Sequence, residues 1–205
     1  MKFFDTRTAK AGLIAICLAA FIFAARFWYL EEQGNFHPIT HGEAYRSAQL
    51  DKDELAYYIK SLGIRSVINL RGRNENEAWY REETAVCRKL NTLHYDHDLS
   101  ADKAPDAVAC QALLNTFRQA PRPVLIHCRA GADRSGLAAA LWQVVVDGAD
   151  GSSAGKQLSI RYGHLPFGPT QTLDAFFDQW VAARKIKSNA KKMAGEPYQR
   201  IQVAG

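Results

Sequence analysis

The stretch PVLIHCRAGADRSGLAAALWQV, Pro123–Val144, decides the fold. It opens on a short apolar run that reads as a buried central strand. It closes on an alanine- and leucine-rich segment, Ser135 to Val146, that reads as a buried helix. Between them lies a short loop, Cys128 to Arg134, with a thiol, a glycine and two arginines. Such a loop turns successive backbone N–H groups inward and cradles an oxyanion, helped by the dipole of the following helix. Gly131 permits the backbone geometry, and Ala130 and Ala132 leave it uncrowded. Arg134 can fork onto two phosphate oxygens. The same amides and guanidinium favour a thiolate at Cys128 over a thiol. The expected reaction is attack by sulfur on a phosphorus atom whose equatorial oxygens the loop holds. Amides and guanidinium supply the positive field, so the chemistry calls for no metal and no cofactor.

Working outward from this loop, strands alternate with helices. Glu43 to Leu50 reads as a short strand and turn, then a helix capped by Asp51 or Asp53 carries Leu55, Ile59 and Leu62 on one face. Gly63 ends that helix. Ile64 to Leu70 is a β-branched strand candidate, Asn74 to Leu90 a charged helix, and Thr92 to Asp98 a further strand. A polar loop runs from Asp98 to Ala104. Pro105 suits the first turn of a helix reaching about Gln119. Two helices, about 153–162 and 170–187, follow the central one. The pattern predicts an α/β fold with a mainly parallel sheet of four to five strands flanked by helices. Ligands of such sheets bind beyond the carboxyl ends of the strands, where Cys128 stands.

The first residues do not belong to that pattern. Ala11 to Ala25 is uninterrupted by charge and resumes after Arg26 as FWYL, Phe27 to Leu30. Together these are about 20 residues, enough to span a bilayer as a helix. Arg26 can snorkel to the headgroups, and Trp28 and Tyr29 suit an interfacial belt. Lys2, Arg7 and Lys10 precede the run while Glu31 and Glu32 follow it. The N-terminus is therefore expected in the cytoplasm and the main domain outside, periplasmic in a bacterium. A cleaved signal peptide is the rival reading, but FIFAARF is a poor cleavage site. The expected organisation is a basic leader (1–10), a transmembrane anchor (11–30), a linker (31–42), a catalytic domain (43–187) and a basic, partly disordered tail (188–205).

The cysteines at 17, 87, 110 and 128 show neither a CxxC pair nor Cys/His metal spacing. The net charge of +5 matches the excess in the last residues, where Arg184 to Gly205 holds six basic side chains and one acid. A solvated tail explains it, or attraction to anionic lipid. Nothing beyond that tail suggests a nucleic-acid partner. The oligomeric state is not readable.

HCRAGADRSG, His127–Gly136, resembles the His-Cys-x-x-Gly-x-x-Arg-Ser/Thr-Gly signature of the cysteine-dependent protein tyrosine and dual-specificity phosphatases. AYRSAQL and GIRSVINLRG look like the opening of the bacterial dual-specificity-like group, and the resemblance covers about residues 40–185. It implies a phosphocysteine on Cys128 and phosphate binding by Arg134 with the loop residues Arg129, Ala130, Gly131, Ala132 and Asp133. It implies that Ser135 supports the thiolate as leaving group and that His127 orients the loop from below. It also implies an aspartate general acid from a loop before the cysteine. Asp96, Asp98, Asp102 and Asp106 fall in or near that window, and alignment favours Asp102. Asp98 and Asp133 remain alternatives. Arg46 and Ser47 are expected to brace the fold or the cysteine loop rather than touch substrate, Arg71 and Arg73 to meet an anionic substrate or solvent; Gln171 is a weak candidate for positioning the hydrolytic water, as a glutamine does in classical tyrosine phosphatases, and His164 reads as a core or surface histidine. The implied activity is hydrolysis of phosphomonoesters, on phosphorylated protein or small phosphoesters. A membrane-associated lipid or inositol phosphatase of the same mechanism is the alternative, and a catalytically dead phospho-binding module a distant one.

Overall fold

The computed structural model describes residues 6–193. Residues 1–5 of the leader and 194–205 of the tail lie outside the described residues. A long helix, α1 (Thr6–Glu32), leads into strand β1 (His37–Thr40) and strand β2 (Ala44–Ser47). Then come α2 (Lys52–Leu62), β3 (Ser66–Asn69), α3 (Ala78–Lys89), β4 (Leu93–Asp96), α4 (Ala107–Gln119), β5 (Val124–His127) and α5 (Asp133–Val145). A short α6 (Gly151–Ala154), two 3₁₀ turns (Gly155–Gln157 and Ile160–Tyr162) and α7 (Gln171–Met193) complete the order.

Local signals account for several boundaries. Asp51 caps α2 through the Asp53 and Glu54 amides, and the Glu54 side chain returns the bond in a capping box. Gly63 closes α2 in the left-handed region at φ 64°. The sheet order is β1-β2-β5-β3-β4; β1 is antiparallel to β2, and the other pairs are parallel. β5 is central, and its four residues are all buried. Its alternation splits the core. Val124 and Ile126 face the cluster of Phe117, Leu141, Trp142 and Phe177 from α4, α5 and α7. Leu125 faces the cluster of Leu55, Ile59 and Cys87 from α2 and α3. Ser47, His127 and Asn69 stand level across β2, β5 and β3. Cys128 therefore leaves the sheet at its carboxyl edge, between two neighbouring strands.

Several expected boundaries move. Residues 31–42 are not a linker: α1 continues to Glu32, Asn35 is buried, and His37–Thr40 is the edge strand β1. The folded domain thus begins before residue 43. Pro105 precedes α4 rather than sitting in its first turn, because Asp106 is the N-cap and accepts from the Ala109 amide at 2.7 Å. The helix expected over 153–162 is broken. Asp150 starts α6 as its cap, and the chain then passes through two 3₁₀ turns to Gly163, at φ 83°. α7 runs past 187 to Met193, so residues 188–193 of the expected tail are helical.

Candidate active site

The loop after β5 is shaped from outside. Cys128 is 2% exposed at the end of the strand. Gly131 lies at φ 69°, and a Cβ there would stand 2.6 Å from the Ala48 nitrogen. Both the left-handed backbone and this close approach to β2 demand glycine. Four successive carbonyls are held from the far side. The Arg129 oxygen accepts from the Gln49 amide at 3.1 Å, and the Ala130 oxygen from Asn35 Nδ2 at 3.0 Å. The Gly131 and Ala132 oxygens both accept from Arg46 Nη2, at 2.8 and 2.9 Å. With its carbonyls turned outward, the loop presents its N–H groups on the opposite side, toward the mouth of the site.

Arg46 is fully buried. Its second nitrogen donates to the backbone oxygen and to Oε1 of Gln157, both at 2.8 Å, and its guanidinium lies 4.3 Å from the centre of the Tyr162 ring. Burial lowers its pKa to about 10, opposed by the charges of Cys128, Tyr162 and Asp133, so it remains a cation at neutral pH. The bracing role expected for Arg46 is what the structure shows. Ser47 contributes its carbonyl, which accepts from the buried Ser135 hydroxyl at 3.3 Å.

Beneath the loop, His127 points to the α3 side of the sheet. Its Nε2 lies 3.2 Å from the Glu83 carboxylate. Glu83 is 3% exposed and also meets His94 Nε2 at 2.7 Å and Gln49 Nε2 at 2.6 Å. Burial alone would raise its pKa, but His127, His94 and Gln49 hold the carboxyl well below the usual carboxylate range. Gln49 in turn accepts from Arg71 Nη1 at 2.9 Å, and the Arg71 guanidinium stacks 3.5 Å from the Trp79 ring centre. The Arg71 pKa is lowered by burial and by the positive charges of Arg134 and Arg129, which places Arg71 in the field of the loop. Arg73 is exposed and pairs with Glu75, so it meets solvent.

Arg134 stands in the first turn of α5. Its Nη1 donates to the Leu99 carbonyl at 3.3 Å, tying it to the loop between β4 and α4. Its Nε is buried with no hydrogen-bond partner among the described residues. A buried guanidinium nitrogen left unpartnered beside inward amides is a donor set for an anion.

The candidate acids separate by what they already do. Asp96 accepts from Asn69 at 2.8 Å and from the Tyr80 hydroxyl at 2.6 Å. Asp106 caps α4. Asp133 points away from the loop mouth to His164, with Oδ1 2.7 Å from Nδ1. The other ring nitrogen of the buried His164 meets Asp174 of α7 at 2.9 Å. This Asp133–His164–Asp174 chain ties the phosphate-loop end of α5 to α7. It gives Asp133 a clamping role and His164 a purpose. Asp98 and Asp102 remain on the exposed loop. Asp102 accepts from the Ser100 hydroxyl, and that bond is the first cause of its lowered pKa, followed by its own backbone N–H; Lys103 and Arg134 add to it. Gln171 is exposed at the start of α7.

A pocket of about 600 Å³ opens at the loop. It is lined by Arg129, Ala130 and Ala132 of the loop, by Arg71 and Trp79, by Trp28 and Leu30 of α1, and by the loop-anchoring Asn35 and Gln49; Cys128 and Arg134 do not line it. Among the described residues no cluster of histidine, cysteine, aspartate and glutamate side chains is arranged to hold a metal ion. Cys87 and Cys110 are buried core residues, and burial pushes the Cys87 thiol up to about 12.

Residues 30–151 match the model of the tyrosine phosphatase family. The chain belongs to that family. The chain is also 30% identical over 112 residues to the dual specificity protein phosphatase TpbA of Pseudomonas aeruginosa, 54% of this chain and 47% of the relative. The chain thus spans about half the length of the curated relatives it matches. In fold it is similar to P. aeruginosa TpbA in complex with phosphotyrosine (TM-score 0.54, 22% identity, 75% of this chain and 91% of that one). It is similar too to PTPMT1 in complex with PI(5)P (TM-score 0.55, 16% identity, 73% and 98%). These likenesses show the α/β phosphatase fold.

Sequence reading missed Asn35, Gln49, Glu83, Trp79 and Asp174. Glu83 had a legible signal: it shares the buried stripe of α3 with Tyr80 and Cys87, an odd place for a carboxylate.

Proposed function

We propose that the protein is a phosphomonoester hydrolase of the tyrosine and dual-specificity type, working through a phosphocysteine on Cys128. The observation that supports this reading is the outward anchoring of four loop carbonyls beside the buried, unpartnered Nε of Arg134. Cys128 sulfur attacks phosphorus, and an S–P bond forms as the ester P–O bond breaks. Asp102 gives its proton to the leaving oxygen, which requires the Ser100 contact to open. Asp102 then takes a proton from water, which attacks phosphorus, releases phosphate and returns the thiolate. The loop amides and Arg134 hold the equatorial oxygens throughout. Ser135 supports the departing thiolate, and His127 keeps the loop seated on Glu83.

Phosphorylated protein side chains, phosphotyrosine first, are the leading substrates; the dual-specificity relative and the phosphotyrosine complex of TpbA support this. A lipid or inositol phosphate is the second reading, favoured by the wall that α1 lends the pocket. The helix from Lys10 to Leu30 is long and apolar enough to cross a membrane. We place it there, with Arg7 and Lys10 on the cytoplasmic side and the catalytic domain on the other. Hydrolysis of p-nitrophenyl phosphate, with trapping of phosphate on the Cys128 peptide, tests the chemistry. Both signals vanish in Cys128→Ser and withstand chelator. Turnover that survived Cys128→Ser would overturn the mechanism.

A further inference from the structure

Two charged groups beside the phosphate loop take no part in the proposed chemistry. Asp133 is the carboxylate of the loop itself, directly before Arg134, where an arriving phosphate dianion meets like charge. His164 has no exposed surface, and both of its ring nitrogens face carboxylates. Nδ1 lies 2.7 Å from Asp133 Oδ1, and Nε2 lies 2.9 Å from Asp174 Oδ2. An ionised carboxylate only accepts hydrogen bonds, and a neutral imidazole has one donor nitrogen. To satisfy both contacts the ring must donate from both nitrogens, which makes His164 a buried imidazolium. Its raised pKa agrees: burial opposes the charge, but the bonds to Asp133 and Asp174 and the charges of both outweigh it.

The ring is held in place from several sides. Gly163, at φ 83°, turns the chain, and the His164 amide donates to the Ser159 carbonyl at 3.1 Å. The same turn is pinned to the loop by Asn35, which donates to the Tyr162 carbonyl at 2.9 Å and to the Ala130 carbonyl at 3.0 Å. Asp174 comes from the first turn of α7. The charged groups that face His164 are therefore Asp133 of α5 and Asp174 of α7, with Arg46 of β2 in the field of Asp133. Asp133 thus meets a cation on the side away from the mouth of the site.

Resting on the phosphomonoester hydrolase reading, we infer that His164 is a positioning residue for anion binding: as an imidazolium between Asp133 and Asp174, it masks the loop's own carboxylate and keeps it turned away from the phosphoryl group. Arg134 and the inward amides then set the field at the site. The mask is fully present below the ordinary histidine value, about pH 6.5, and is lost as pH rises through the raised folded value. Once the ring is neutral, the positive charge beside Asp133 is gone whichever nitrogen keeps its hydrogen, and affinity for a dianion falls about tenfold. Arg46, with its pKa at about 10, stays charged across that range.

Inorganic sulfate, a dianion at every pH used, is the probe. Calorimetric titration of the full chain carrying Cys128→Ser keeps the thiol's own titration out of the measurement. Sulfate affinity is level up to about pH 6.5 and falls about tenfold by about pH 9. Adding His164→Gln weakens binding about tenfold at pH 6 and flattens the profile. Adding Asp133→Asn as well restores affinity to within about twofold, because no charge is left to mask. A flat profile without the His164 change overturns the inference. So does a His164→Gln loss that persists undiminished alongside Asp133→Asn, the result a merely structural clamp gives. Where His164→Gln does not fold, ¹⁵N NMR of the His164 ring takes its place: two protonated nitrogens at pH 6, titrating in step with sulfate affinity, support the inference, and a neutral ring at pH 6 overturns it. Sulfate binding that ignores pH and His164 leaves the phosphocysteine reading standing, whereas no sulfate binding by any of these chains removes the anion site and both readings with it.

Discussion

Replacing Arg46 with methionine removes the strut behind the phosphate loop while keeping most of its apolar volume. The lost contacts are the bonds to the Gly131, Ala132 and Gln157 carbonyls and to Gln157 Oε1, all within 2.9 Å. A hydrogen bond to a charged group is worth about 1.5–3 kcal/mol, and a buried acceptor left unpaired costs about 1–3 kcal/mol. Ala132 keeps one partner, the Gly136 amide, but Gly131 and Gln157 lose theirs. Against this stands relief from burying a guanidinium whose pKa has fallen to about 10; at about 1.4 kcal/mol per pKa unit that returns roughly 3 kcal/mol. Four such bonds total about 6–12 kcal/mol, so the net loss is about 3–9 kcal/mol, a large share of the roughly 5–15 kcal/mol that holds a domain together. At about 2–4 °C per kcal/mol for a chain of this size, the melting temperature falls by at least about 6 °C. Turnover falls further than stability, because the Gly131 carbonyl is freed to rotate and its neighbouring N–H leaves the anion site; we expect a loss of about 100-fold in kcat/KM. Arg46→Lys keeps the charge but not the fork, and recovers less than half of either loss. Circular dichroism melts and aryl phosphate hydrolysis on the same preparations measure both. A methionine variant that melts within 2 °C of the parent and keeps half its kcat/KM would refute the strut.

Three other perturbations address the rest of the site. Asp102→Asn lowers turnover of an alkyl phosphate by about 100-fold and of p-nitrophenyl phosphate far less, since a nitrophenolate needs no proton; equal losses on both would remove Asp102 as the acid. Glu83 is a carboxylate with a depressed folded pKa, so its contribution is present above the usual carboxylate value, about 4.3, and fades as pH falls through the lower folded value. Urea midpoints at pH 7 and pH 3 drop less in Glu83→Gln than in the parent, although the variant is less stable at pH 7. His164 is the opposite case. Burial lowers its pKa, but the bonds to Asp133 and Asp174 outweigh that and raise it above the usual histidine range. Its clamp is fully present below about pH 6.5 and weakens as pH rises through the raised value. The parent therefore loses urea stability between pH 6 and pH 9 by an increment that is missing in His164→Asn.

The strand, loop and helix around Cys128 were legible because their chemistry is contiguous: a buried strand, a glycine that must turn and a helix that must start follow one another within a few residues. The α2 cap and the alternation of strands and helices were legible for the same reason. What escaped depends on partners far along the chain. Asn35 follows a glycine and looks like punctuation, yet its amide is spent on carbonyls 95 and 127 residues away. Glu83 sits among charged neighbours on α3, and only its histidine and glutamine partners explain why a carboxylate is buried there. Asp133 was ambiguous in sequence because a loop acid can face the substrate or turn away. His164, separated from it by the whole of α5, decides the direction. The stretch from Asp98 to Ala104 was legible as a loop, but the Ser100 contact that occupies Asp102 belongs to its folded shape.

The edge strand β1 bears on how the protein can be handled. Trimming the chain to residue 43, where the sequence pattern alone would start the domain, would remove β1, which among the described residues is the strand that covers β2 on that side. β2 is buried at all four positions, so its bared backbone would become a sticky template for a second copy. The same cut would delete Asn35 and leave the Ala130 carbonyl free to swing into the anion site. A shortened chain that keeps Gln33 onward retains both, which makes the choice of first residue a decision about the catalyst as much as about solubility.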